Sequence, residues 1–122
     1  MITLPWPDRI LSPNSRSHWS QSAQAKKKSR QDGHYAALVS GYDKSTFAGY
    51  DGKLHLFIDF YAETRNYPDA DNCLSSIFAC ISGIADAIEV NQNRFVCHPF
   101  VKSETYKGGK IVIRITKEPN QC

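Results

Sequence analysis

The chain has 122 residues, of which 41% are hydrophobic, 22% charged and 11% aromatic. That is enough for one core but hardly for two, so a single domain over residues 1–122 is expected, and a disordered or low-complexity chain is excluded. The net charge is only +3, but it is unevenly spread: residues 9–31 carry +6 with no acid, Asp8 carries −1, and residues 32–122 carry −2. A strongly basic segment therefore precedes a slightly acidic body.

No stretch approaches the roughly 20 apolar residues of a membrane span, so no membrane partner is expected. Met1 to Trp6 has neither a basic n-region nor a long apolar h-region. No signal peptide is therefore expected, and the cytoplasm is the default. Cys73, Cys80, Cys97 and Cys122 include no pair at zinc-knuckle or redox spacing. Cys73 and Cys80 read instead as small buried hydrophobes, two turns apart on a helix. His18, His34, His55 and His98 are scattered and suggest no zinc site.

Ile2-Thr-Leu-Pro-Trp-Pro reads as a short strand ended by prolines. Residues 8–19 read as a loop, with the turn signature Ser12-Pro13-Asn14 followed by Arg16, His18 and Trp19. Residues 20–39 read as a helix with a thin apolar face, weakened at Gly33. Residues 40–52, with Gly41, Gly49 and Gly52, read as a connector.

Lys53–Tyr61 is the clearest strand. Leu54, Leu56, Ile58 and Phe60 alternate with His55, Phe57, Asp59 and Tyr61, and the partly apolar second face predicts a central strand. A polar loop over 62–70 contains Arg65. The clearest helix runs from Asp71 to Ile88, with Leu74, Ile77, Phe78, Ile81, Ile84, Ala85 and Ile88 at helical spacing. After a polar loop, residues 94–104 read as a strand interrupted by Pro99. Lys107-Gly108-Gly109-Lys110 reads as a hairpin turn, and Ile111, Ile113 and Ile115 mark a last strand. The order β-α-β-α-β-β predicts an α+β domain with a mixed sheet of about four strands and two main helices.

Asp69-Ala70-Asp71-Asn72 is the motif most suggestive of chemistry. Two carboxylates one residue apart face one side if the backbone there is extended, and such a pair suits a hard divalent cation such as Mg²⁺. A water on that cation can attack a phosphodiester. The competing reading is that Asp69 or Asp71 merely caps the helix. The basic segment bears on the choice, because Arg16, Lys26, Lys27, Lys28 and Arg30 could neutralise phosphates while the acids hold metal. A solvated helix face would explain the same charges.

In these pieces, taken in order, the chain resembles the RusA family of Holliday junction resolvases, common in phages and prophages. The N-terminal strand, the Ser12-Pro13-Asn14 loop with His18-Trp19, Asp69-Ala70-Asp71-Asn72, Gly83-Ile84-Ala85-Asp86-Ala87-Ile88 and the Lys107–Lys110 turn with the final strand look like successive family elements. The resemblance implies a homodimeric endonuclease in a bacterial host cell, dependent on Mg²⁺ or Mn²⁺, that nicks four-way DNA junctions. Asp69 and Asp71 would be its metal ligands. Arg65 and Lys107 join the basic residues proposed to hold DNA.

Two departures are visible. The family usually carries a further acidic pair after the main helix, where this chain reads Asn91-Gln92-Asn93-Arg94-Phe95. Gln92 stands at the expected ligand and offers a carbonyl oxygen without charge. The family also has a helix lysine shortly after Asp-x-Asp-Asn, but here no lysine lies between Lys53 and Lys102. Ser75 lies near that place, while Arg65 and Arg94 could replace it only from a loop. Asp59, Asp86 or Glu89 could supply the missing acid. These departures leave open a junction-binding protein with weakened or lost cleavage, and a small interaction domain whose acids only cap a helix.

Overall fold

The computed structural model describes residues 1–7, 19–64 and 70–119. Its elements are β1 (Ile2–Pro5), α1 (Trp19–Val39), β2 (Leu54–Tyr61), α2 (Ala70–Ser75), α3 (Phe78–Ile88), a 3-10 turn (Gln92–Arg94), β3 (Phe95–Val101) and β4 (Lys110–Thr116). The expected α+β order is observed, with a four-stranded mixed sheet in the order β1-β4-β2-β3.

The alternation in β2 sets the layers. Leu54, Leu56, Ile58 and Phe60 are fully buried and share one sheet face with Ile2, Leu4, Ile111, Ile113 and Ile115. Ile77, Ile81, Ile84 and Ile88 cover that face from the helical side and form one core with it. Each such side chain contributes about 1.5–3 kcal/mol on burial. The second face of β2 carries His55, Phe57, Asp59 and Tyr61, away from the helices.

β2 and β3 pair in parallel, with Leu54 opposite Phe95 and Phe60 opposite Val101. β4 runs antiparallel to β2 on its other side and antiparallel to β1 beyond. Lys107–Lys110 is therefore not the tip of a hairpin between neighbouring strands, since β3 and β4 flank β2. The turn itself is tight: the Gly109 amide donates to the Tyr106 carbonyl at 2.8 Å, and Gly108 takes φ +80° in its third position. Pro99 is tolerated because β3 is an edge strand, where a missing N–H breaks no inner ladder.

The single helix expected over 71–88 is broken at Ser76-Ile77. Ser76 and Ile77 donate to the carbonyls of Cys73 and Leu74, three residues back rather than four. Ile77 then takes φ −116° and ψ 14°, outside helical values. Ser75-Ser76 is a weak helix pair whose hydroxyls compete for backbone groups, a common site for a bend. The break lets α2 pack against β3 while α3 packs against α1.

α1 presents small residues to α3. Gly33 and Ala37 are buried, with Ala25, Ser29 and Ala36 half-buried along the same stripe. A Cβ at Gly33 would overlap the Cys80 carbonyl, and one at Gly83 the Arg30 carbonyl. The two backbones thus meet through a glycine from each helix, and the weak apolar face of α1 is explained by closeness rather than bulk.

Candidate functional site

Of the two candidate metal ligands, Asp71 belongs to the first turn of α2. Asp69 lies outside the described residues, as do Arg16 and Arg65. α2 packs on β3, and the 3-10 turn holding Gln92 opens directly into β3. Asp71's helix and Gln92 therefore both border this edge strand.

Gln92 is exposed, and its amide oxygen is already engaged. Ser82 Oγ of α3 lies 2.6 Å from Gln92 Oε1 and 3.2 Å from the Phe78 carbonyl. A hydroxyl has one proton, and the shorter contact is the better bond. The oxygen is free to act as a metal ligand only where it shares or leaves that partner. All donors proposed here are hard oxygens, which suits Mg²⁺, but this one is neutral.

The other acids have different surroundings. Asp86 accepts from Arg30 Nε at 2.8 Å and pairs with the Arg30 guanidinium at 2.6 Å, tying α3 to α1. An acid near a helix C-terminus is electrostatically disfavoured, and this cation offsets that. Glu89 closes α3 in the left-handed conformation, φ 53° and ψ 49°, with backbone bonds to the Ala85 and Asp86 carbonyls. Asp59 lies on the sheet face opposite the helical layer. Arg94, a conceivable stand-in for the helix lysine, donates instead to the carbonyls of Tyr50 and Gly52. It anchors the 40–52 connector to the start of β3.

The basic stripe of α1 is solvent-facing, with Lys26, Lys27, Lys28 and Arg30 all exposed. Two of its members carry partners: Lys28 donates to Asp32 at 2.8 Å, one turn on, and Arg30 is held by Asp86. Both pairs are largely exposed, so they are weak and exchangeable for a phosphate. Lys107 is exposed in the turn before β4.

No known family profile matches the chain. It is 40% identical over 115 residues to a protein of Xylella fastidiosa described as uncharacterized, and the match spans 94% of this chain and 74% of that protein. The chain belongs to that protein's family.

One constellation in the structure escaped the sequence reading. His55 Nδ1 and His98 Nε2 lie 2.9 Å apart across β2 and β3, one nitrogen donating and the other accepting. Phe57 stacks beside them, its ring centroid 4.6 Å from that of His98 with an interplanar angle of 14°. Alternation put His55 and Phe57 on one face, but His98 is 43 residues from His55 in the chain, and only the register joins them. Among the described residues no three His, Cys, Asp or Glu side chains gather as a metal-binding group. No described helix is long and apolar enough to cross a membrane.

Proposed function

We propose that this protein is a RusA-like endonuclease that acts on branched DNA, with the four-way junction as substrate, as a homodimer in the cytoplasm of a bacterial cell. The observation that carries the reading is the Asp-x-Asp-Asn motif opening α2, within an ordered set of family-like pieces and alongside the basic stripe of α1. In this reading Asp69 and Asp71 hold the metal. Lys26, Lys27, Lys28 and Arg30, with Arg16, Arg65 and Lys107, hold backbone phosphates. When bound, Mg²⁺ or Mn²⁺ supplies charge to the phosphate and an activated water. Two strands related by a two-fold axis call for two sites so related, which is why a homodimer fits the substrate.

The test incubates the purified protein with a synthetic four-way junction or linear duplex, in Mg²⁺, Mn²⁺ or EDTA, beside Asp71→Asn. Paired, metal-dependent nicks in the junction that vanish in the variant are expected. A second reading, junction binding without cleavage, is favoured by one observation: Gln92, which stands where the RusA resemblance calls for an acid, has its oxygen engaged by Ser82. Binding without nicks by the unaltered protein would replace the first reading with the second. In the nuclease reading, Gln92→Asp restores a charged donor and lowers the metal concentration at half-maximal cleavage. An unchanged metal dependence would remove Gln92 from the site.

A further inference from the structure

The sheet face turned away from the helices is built from rings and cations. Its strand positions include His55, Phe57, Asp59 and Tyr61 of β2, His98 and Phe100 of β3, and Lys110 and Arg114 of β4, with Val96, Val112 and Thr116 among them. His55, Phe57 and His98 lie within 22° of parallel, with centroids 4.6–6.5 Å apart. Toward the far end of β2, Lys110 Nζ sits 5.0 Å from the Tyr61 ring and 4.3 Å from the Tyr106 ring. Lys102 Nζ lies 5.3 Å from the Phe100 ring. Phe100 is 60% exposed and Tyr106 48%. Phe100 and Tyr106 thus each offer an exposed ring with an ammonium beside it, an arrangement that suits a ligand carrying both flat rings and negative charge.

We infer that this open sheet face binds single-stranded nucleic acid, with bases stacked on Phe100 and Tyr106 and phosphates held by Lys102 and Lys110. Rings accept the flat faces of bases, which a duplex keeps stacked inside, while the ammonium groups suit the backbone. A sheet of this width accommodates about two or three stacked bases. Charge selects this occupant over a second copy of the chain. Among these strand positions Asp59 is the one acid beside Lys110 and Arg114, and face-to-face packing would set like charges against each other. The inference goes beyond the nuclease reading and requires neither metal nor cleavage.

The test measures fluorescence anisotropy of a labelled oligo-dT and of a duplex of equal length, in EDTA, so that its result is independent of cutting. The intact protein is expected to prefer the single strand. Phe100→Ala and Tyr106→Ala should each weaken it by roughly 5- to 150-fold, from about 1–3 kcal/mol per stacked base. Phe100→Trp should retain binding. Lys102→Gln and Lys110→Gln should each lower the salt slope by about 0.7. Both rings are exposed, so unchanged circular dichroism and melting should accompany the losses. Three results would overturn the inference: no single-strand binding by the intact protein, ring variants that bind like it, or a loss confined to Lys26→Glu and Lys27→Glu on α1. Conversion of a dimer to a monomer by Phe100→Ala in sedimentation would do so too, by assigning the face to a second copy. Failure of junction cleavage leaves this result standing, and its own failure leaves the cleavage assay untouched.

Discussion

Gly83 shows how a residue's role can oppose its propensity. In an isolated helix Gly→Ala is favourable by about 1 kcal/mol. Here the added Cβ would overlap the Arg30 carbonyl, which is backbone and cannot swing aside. Gly83→Ala is therefore expected to destabilise by about 1–3 kcal/mol, read as a lower denaturant midpoint at constant slope. A neutral or stabilising outcome would mean that α1 and α3 are not in backbone contact. Cys80, beside the same contact, titrates abnormally. Burial, with a smaller contribution from the Asp32 carboxylate, pushes its thiol up from 9.0 to about 12. Below 9 the thiol is neutral in folded and unfolded chains alike. Between 9 and 12 only the unfolded chain loses the proton, so stability falls as pH rises, by up to roughly 1.4 kcal/mol per unit. Cys80→Ala should flatten that part of the stability curve, measured by urea denaturation from pH 8.5 upward. The same raised value predicts that Cys80 resists alkylation at neutral pH until the protein unfolds.

At the scale of elements, the helix pair α1 and α3 divides its surface between packing and charge. The small-residue stripe makes the contact, and the cations project outward from the same helix. The Arg30–Asp86 pair links the two helices on their exposed flank. Such pairs contribute little, so a double-mutant cycle with Arg30→Ala and Asp86→Ala should give a coupling of about 0.2–1 kcal/mol that shrinks with salt. A coupling well above that would make the pair a structural clamp rather than an exchangeable phosphate contact. Among the elements, β2, β4 and the periodic part of α3 were legible in the sequence because each repeats its own pattern of burial, and α1 because it is rich in alanine. The bend at Ser76-Ile77 was not, since the apolar period of 71–88 runs through it unchanged. Ser75-Ser76 only supplies a weak point, and α2 packing on β3 while α3 packs on α1 fixes the bend there.

For the whole molecule, the strand order β1-β4-β2-β3 decides which functional groups can meet. The β2–β3 register brings His98 beside His55 and Phe57 and places Phe100 on the open face. The same topology sets Asp59 on one side of the sheet and the helical layer with α2 on the other. Two surfaces result, a basic helix stripe and a ringed sheet face. The proposed functions predict separable effects: Lys26→Glu with Lys27→Glu should weaken branched duplex DNA more than oligo-dT, and Phe100→Ala the reverse. Parallel binding titrations with both probes measure this, and identical losses on both would mean one shared surface.

The sequence by itself determined the class of fold, the single core, the basic segment at 9–31 and the Asp-x-Asp-Asn motif, because periodicity, charge and short spacings are local properties of the chain. It also exposed the neutral Gln92 where the RusA resemblance calls for an acid. Tertiary structure alone decided that Lys107–Lys110 joins strands on opposite sides of β2 rather than a hairpin. It also decided that Arg30 belongs partly to Asp86 and that Arg94 anchors a connector. Each of those depends on a partner distant in the chain, and sheet register and helix docking, not local propensity, set which distant residues touch.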